Sequence, residues 1–461
     1  MMIQKPKGTY DVYGSYGEKI LYLEKLLNAL MEKYHYEYVR TPIFEASNLF
    51  HRGVGETTDI VTKETYDFKD RGDRDMTLRP EGTAGVVRSF IENKMYTRPV
   101  LPVKTWYYGP MFRYERPQSG RFREFYQFGV EVFGSNEPMM DAEVISIPVT
   151  LFRLLGLKGI KVKINSLGDK ESREAYREAL TKHFEPHLDT LCSDCKERFS
   201  KNPLRILDCK VDREKDCMKN APKLSDYYTE DARTHFEDVK KYLEALEIPY
   251  EVDEHLVRGL DYYTYTVFEV EADIKEFGSN NVLCAGGRYN HLVENLDGPS
   301  IPGVGFALGY ERILNAIEAE GIVLEERNTT DAYIIPLEET AKEKAFALTQ
   351  TLRMNGFTIE MDYMNRNLKG NFKQADRLDA KFVILIGEEE MKQQILTIKN
   401  NQTKEEFKID EDYVVIFLDE KLEEMGMGEL ETCGDDCCCG HHDHEEGHVC
   451  HCNHEGGCHH E

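Results

Sequence analysis

The chain has 461 residues, a formal net charge of −26 and 41% hydrophobic content, enough apolar material for about three domains of ~100–200 residues each. That acid excess excludes a protein that coats nucleic acid indiscriminately, although a locally basic face can still dock one chosen RNA because charges beyond ~10 Å are screened from each other. The opening residues Met1 to Gly8 form no apolar stretch of signal-peptide length, and no run approaches the ~18–20 apolar residues of a membrane span, so the expected location is cytoplasmic with no membrane partner. Twelve cysteines would imply a disulfide scaffold in a short secreted chain; clustered in two places of a long one, they point to reduced, metal-binding thiols.

In chain order, Ile20, Leu23, Leu27 and Leu30, with Leu26 and Met31 beside them, recur at three- and four-residue spacing and predict an amphipathic helix over 17–34. Tyr38 to Ile43 follows as a β-rich run whose Pro42 cannot donate a ladder hydrogen bond and so suits an edge or interface. Strands are expected at 103–108, 126–133, 160–164, 265–271 and 282–285, which makes 1–325 a mainly antiparallel sheet flanked by helices, an α+β fold. Residues 170–250 are charged, helical in period and carry four cysteines; they read as an inserted helical domain. After the polar joint Asn328-Thr329-Thr330, runs at 332–337, 357–361 and 381–386 alternate with helical stretches and predict a small α/β domain over 330–425 with a largely parallel sheet. Residues 431–461 contain no Phe, Tyr, Trp, Lys or Arg and one aliphatic residue, Val449. Such a tail cannot bury a core and is expected to be disordered unless metal orders it.

Two segments carry most of the chemistry. Tyr107 to Pro117, running on through Arg121 to Gln127, sets four arginines between two strands, a polyphosphate-binding composition, with Phe125 as a face for a purine. Gly303-Val304-Gly305-Phe306-Ala307-Leu308-Gly309-Tyr310-Glu311-Arg312 lets a strand and helix approach closely and starts the helix at Arg312. Between them, Gln127, Gly129 and Glu131 share one strand face, where two polar side chains beside a glycine indicate a ligand surface more than a core.

These segments resemble motifs 2 and 3 of the class II aminoacyl-tRNA synthetases, and the helix through Pro42 resembles motif 1. Leu256-Val257-Arg258-Gly259-Leu260-Asp261-Tyr262-Tyr263-Thr264, Ala285-Gly286-Gly287-Arg288-Tyr289 and Leu78-Arg79-Pro80-Glu81-Gly82-Thr83 are similar to peptides of the histidyl branch, and the similarity covers residues 1 to about 420. The resemblance implies a class II antiparallel catalytic sheet, a homodimer formed through motif 1, and an anticodon-binding α/β domain. It also implies ligation of L-histidine to tRNA(His) with ATP as co-substrate and Mg2+ on the leaving phosphates.

By the same resemblance, Arg113, Arg258 and Arg312 are catalytic, and Arg113, Arg121, Phe125 and Arg312 bind ATP. Glu131 and Tyr263 would read the imidazole, and Glu81, Gly82, Thr83 and Gln127 would hold the α-ammonium end, with Tyr262 and Tyr289 closing the pocket. The plainer alternatives are half-buried aromatics for Tyr262 and Tyr289, and for Glu81 a stabilising ion pair with Arg79 or Arg113. In the α/β domain, Arg366, Lys369, Lys373 and Arg377 either contact RNA phosphates or simply keep a helix soluble.

In the insert, Cys192-Ser193-Asp194-Cys195 with Cys209 and Cys217 offers four thiols for a tetrahedral Zn2+, or four unligated thiols, since only the first pair has zinc spacing. The tail interleaves Cys433, Cys437, Cys438, Cys439, Cys450, Cys452 and Cys458 with eight histidines, a donor set for Zn2+, Ni2+ or Cu that the family resemblance does not cover. A non-charging regulatory paralogue and a metal-storage protein are the competing functions; intact Arg113, Arg258, Tyr263 and Arg312 count against the first.

Overall fold

The computed structural model describes residues 2–427 except 56, 57, 59, 117–120, 208, 210, 255, 257–261, 275–280 and 325–329. Two compact units emerge, 1–326 and 327–461.

The first unit is built on an eight-stranded sheet. Its order is Glu37–Tyr38, Val103–Phe112, Glu124–Phe133, Gly303–Gly309, Val282–Arg288, Thr264–Glu271, Lys161–Ser166, Tyr250–Val252. The pairings are antiparallel apart from the outermost one at each edge. Each expected strand of this sheet is present, mostly longer than expected. The run 38–43 is the exception: strands Glu37–Tyr38 and Phe44–Ala46 flank it, and the residues between them are not in strand. Pro42, lacking an N–H, marks the interruption; the second strand leaves for a separate three-stranded sheet with Tyr66–Lys69 and Asp75–Leu78.

The opening helix, Gly14–Lys33, buries Leu23, Leu27, Leu30 and Met31, the face anticipated from their spacing. They join Phe128, Val130, Val132 and the helix Pro138–Leu154 in one apolar core on one side of the sheet. Strands Lys161–Ser166 and Tyr250–Val252 are parallel neighbours, which requires a long crossover. The segment 170–245 supplies it with helices Lys170–Phe184, Ser193–Lys201, Asp216–Lys219 and Glu230–Ala245. At its far end the crossover is pinned to the sheet through buried Asp141, which pairs with Arg288 and lies 3.5 Å from His235.

The second unit has a five-stranded sheet in the order Ile359–Met361, Ala332–Pro336, Phe382–Ile386, Ile395–Asn400, Glu406–Asp410. The first three strands are parallel and the last two antiparallel, so the sheet is mixed. The hairpin 395–410 adds two strands to the three that the sequence predicts, and its outer strand alternates exposed charged residues with partly covered apolar ones. Helix Leu368–Arg377 is capped by the Asn367 side chain. Lys369, Lys373 and Arg377 are exposed along one line of it, whereas Arg366 is tied 2.8 Å from Asp362. No helix among the described residues is long and apolar enough to cross a membrane.

Candidate active site

The register of three central strands assembles the site. Thr105 faces Glu131 and Tyr107 faces Gly129, and Glu131 in turn faces Gly305. Alternation then places Thr105, Tyr107, Gln127, Gly129 and Glu131 on the same side. Glycines open that side for bulk from elsewhere. A Cβ on Gly129 would lie 2.4 Å from the Tyr107 hydroxyl, one on Gly82 2.1 Å from the Tyr107 ring, and one on Gly303 2.2 Å from the Tyr289 ring.

Glu131 is fully buried, and three hydroxyls converge on it. Thr83 Oγ1 donates to its Oε1 at 2.7 Å, Tyr107 donates to the same oxygen at 3.4 Å, and Tyr289 donates to Oε2. Burial pushes the carboxyl up to about 8 despite those bonds from Tyr289 and Thr83. Of the roughly four lone-pair positions a carboxylate offers, about one on Oε2 is left for a further donor. Tyr262, also buried, packs edge-on to Tyr289 with centroids 5.6 Å apart and against Tyr263 at 4.7 Å. Both aromatics belong to the pocket wall.

Glu81 sits at the pocket's other end. Its carboxylate accepts the backbone N–H groups of Thr83 at 2.7 Å and Ala84 at 2.8 Å, capping the helix Thr83–Glu92. Burial pushes this carboxyl up and the two helix N–H groups oppose the shift. Arg79 turns away, donating to Pro110 O and Thr41 O, so an Arg79–Glu81 pair is not the role of either residue. Gln127 Oε1 is buried and has no hydrogen-bond partner among the described residues, an acceptor whose desolvation only a bound donor would offset.

The arginines line up beside this pocket. Arg113 Nε donates to Pro80 O at 2.9 Å, and its guanidinium lies 5.2 Å from the Phe125 ring centre. Burial pulls Arg113 down, while Glu115, Glu64 and Glu81 oppose the shift. Glu115 stands 3.9 Å from Arg113 and 3.3 Å from Arg121. Arg312 in helix Tyr310–Ala319 donates to Val282 O at 2.8 Å. Burial pulls Arg312 down, and repulsion from Arg121 adds to the effect. Arg113, Arg121 and Arg312 thus belong to one neighbourhood. Arg258 lies outside the described residues, as do the tail cysteines Cys433, Cys437, Cys438, Cys439, Cys450, Cys452 and Cys458.

Two contributors escaped the sequence reading. The sequence marks Tyr107 only as part of a motif, yet its hydroxyl reaches Glu131; the signal is a bulky residue facing Gly129 across a strand pair. Glu115 bridges two of the arginines. The cysteine quartet needs correction: Cys192, Cys195 and Cys209 group with Asp212, not Cys217. Cys217 sits in the short helix Asp216–Lys219, buried in an apolar cluster with Met218 and Leu224, and its carbonyl pairs with His183 Nε2 at 2.7 Å.

The arrangement as a whole gathers buried polar groups around the Glu131 carboxylate, with Glu81 close enough to feel the charge of Arg113 and Arg312 close enough to feel that of Arg121. It suits a small ligand with a ring donor and an ammonium, held beside a polyphosphate. A family model described as histidyl-tRNA synthetase matches residues 8–313, and one described as an anticodon binding domain matches residues 331–421. The histidine–tRNA ligase of Anoxybacillus flavithermus is 53% identical over 406 residues, covering 88% of this chain and 96% of that protein. That of Geobacillus sp. is 51% identical over 422 residues, covering 92% of this chain and 100% of that protein. The solved structure of apo Staphylococcus aureus histidyl-tRNA synthetase superimposes with a TM-score of 0.80 at 45% identity, covering 90% of this chain and all of that one. With family models covering both units and these relatives matched over nearly their full length, the chain belongs to the histidyl-tRNA synthetase family of class II aminoacyl-tRNA synthetases.

Proposed function

We propose that the chain activates L-histidine with ATP to histidyl-adenylate and pyrophosphate, then passes the histidine to the 3′ end of tRNA(His), releasing AMP. The observation that carries this reading is the buried Glu131 carboxylate, gripped by Thr83, Tyr107 and Tyr289 with acceptor capacity to spare. Imidazole presents an N–H that such an acceptor reads, and an analogue without it leaves Glu131 unpaired, a penalty on the scale of ~10⁴-fold discrimination. Tyr263 takes the other ring nitrogen. Glu81, Thr83 and Gln127 hold the α-ammonium group, with Gly82 giving the close approach and Tyr262 and Tyr289 closing the walls.

In the first step a carboxylate oxygen of histidine attacks the α-phosphorus, and the bond to the bridging oxygen breaks as pyrophosphate leaves. Two anions must meet, so fixed cations lower the barrier. Arg113 spans the substrate carboxylate and α-phosphate, Arg258 approaches from the opposite side, and Arg312 and Arg121 take the outer phosphates. Phe125 stacks on the adenine. Glu115, a hard oxygen donor beside Arg113 and Arg121, is the residue that would hold Mg2+, which when bound would supply charge neutralisation for the leaving phosphates.

Exposed Ile43, Phe44 and Phe68, the last two with ring centres 6.2 Å apart, support a homodimer through the motif 1 region, where apolar surface would be covered. Exposed Lys369, Lys373 and Arg377 support phosphate contacts to the RNA. The proposed compartment is the cytoplasm. Histidine-dependent exchange of labelled pyrophosphate into ATP, followed by charging of tRNA(His), tests the reading. Exchange that requires histidine supports it; exchange absent with active ATP and Mg2+ present would move the chain to the non-charging paralogues or leave metal storage by the tail.

A further inference from the structure

Three thiols and a carboxylate meet in the crossover, none of them a residue that the adenylation chemistry uses. The sulfurs of Cys192, Cys195 and Cys209 and a carboxylate oxygen of Asp212 all lie within 4.8 Å of one another. Cys192 is the N-cap of helix Ser193–Lys201 and Cys195 falls in its first turn, so the two-residue spacing turns both thiols to one side of a helix start. Cys209 is brought in after the 3-10 turn Pro203–Ile206. Asp212 then folds back on the group. Its backbone N–H donates to Cys209 Sγ at 3.4 Å, and its carboxylate accepts the backbone N–H of Cys192 at 2.9 Å. Bonds of this kind orient ligand atoms around a metal.

Distances separate the possible states. Cys192 Sγ and Cys209 Sγ stand 3.7 Å apart, far beyond the ~2.05 Å of a disulfide. Ligands about 2.3 Å from a tetrahedral centre lie roughly 3.8 Å from one another. The sulfur pair matches that edge, and so does the 3.8 Å from Cys209 Sγ to Asp212 Oδ2. An iron–sulfur cluster, which holds its cysteines around several metal atoms, needs a wider grouping. Ordinary packing is also a poor account, because Asp212 is fully buried and a buried carboxylate facing three thiols gains little from them. Among the described residues Lys215 pairs with Oδ1 at 2.6 Å, which leaves Oδ2 turned to the sulfurs.

We propose that Cys192, Cys195, Cys209 and Asp212 bind one divalent thiophilic metal ion, with zinc the best match in size and geometry. On binding, each of the three thiols releases its proton to solvent, and Lys215 and the helix N-terminus offset the remaining negative charge of the ligand set. The metal's place in the fold explains its use. Between 185 and 229 no strand is present among the described residues, so this part of the crossover has short helical turns and no ladder to hold it. A metal cross-link from 192 to 212 supplies what sheet pairing supplies elsewhere. The neighbouring helix carries Arg173, whose guanidinium donates to Tyr263 O at 3.0 Å, which connects the crossover to the pocket wall.

The full-length chain is the material for the test, and because the tail is itself rich in metal ligands, zinc content is compared between variants. Cys209→Ser should hold one equivalent fewer than wild type, and Cys217→Ser the same as wild type. Equal zinc in Cys209→Ser and wild type, or the missing equivalent appearing in Cys217→Ser, would overturn the proposal. Should Cys209→Ser fail to fold, the unaltered protein answers the question. Cys192 is only half-buried, so as a free thiol it would react readily with iodoacetamide. Ligated, it should resist until a chelator strips the metal, with at least a tenfold rise in labelling. Labelling that chelator leaves unchanged, or a Cys192–Cys209 disulfide in the peptide map, would refute the site.

Discussion

The carboxylate pocket and the cysteine cluster are both buried polar assemblies, yet they are put together differently. Glu131 meets Thr83 from 48 positions away and Tyr289 from 158; a central strand carries the first, the start of helix Thr83–Glu92 the second, and the residue just after strand Val282–Arg288 the third. All four groups of the cysteine cluster come from residues 192–212, in short turns with no strand to align them. The pocket therefore draws its geometry from long-range packing of regular elements, while the cluster depends on what its own side chains bind. The difference teaches where each region is fragile: the pocket fails through single contacts at strand crossings, the cluster through loss of its cross-link.

Substitutions in the pocket sharpen that contrast, and the largest effect is expected at Arg113. Arg113→Ala removes a cation whose charge reaches Glu81 and should lower kcat for histidine-dependent pyrophosphate exchange about 10²–10³-fold, with the melting temperature little changed. A variant within a few-fold of wild type would transfer that role to another arginine.

Next is Gly305→Ala, which tests whether the ladders set the pocket. Its Cβ would fall 2.1 Å from Glu131 Oε2 and 2.3 Å from the Val130 carbonyl oxygen, and a paired strand cannot yield. Overpacking of this kind costs ~1–3 kcal/mol, so calorimetry should show a lower melting temperature together with a raised histidine KM. Unchanged values would mean that the strands can part without consequence.

A pH series on Glu131→Gln comes third. Burial raises Glu131 from its ordinary 4.5 to about 8, so between those values the folded chain keeps a proton that the unfolded chain has lost. Stability that this group contributes at low pH is accordingly lost as pH rises through about 4.5 to 8. The melting temperature of wild type should fall relative to Glu131→Gln over that interval in the absence of ligand; parallel curves would show that Glu131 is ionised throughout.

The smallest change is expected from Tyr107→Phe. Its hydrogen bond to Glu131 is long, 3.4 Å, and losing a bond worth ~0.5–1 kcal/mol raises the histidine KM about two- to five-fold with kcat unaffected. A drop in kcat instead would show that Tyr107 also acts as the transition state forms.

Periodicity and composition determined a good deal unaided: the helix through Leu23, Leu27 and Leu30, the catalytic strands, the polar face of Gln127 and Glu131, and the arginine-rich loop. Each rests on local chemistry, since one residue's neighbours along a helix or strand follow from spacing alone. Roles within the pocket came through the family resemblance, because no spacing states that residue 83 will meet residue 131.

Tertiary structure alone decided the rest. It ended the 38–43 run after Tyr38, turned Tyr107 over Gly129 onto Glu131, and made Glu81 a helix cap as well as a pocket carboxylate. It also replaced Cys217 by Asp212, since a short helix carries Cys217 into apolar packing while the chain after Cys209 turns back on itself. Sequence spacing tells which side chains could share a face; only the crossing of distant strands and turns sets which of them come within bonding distance.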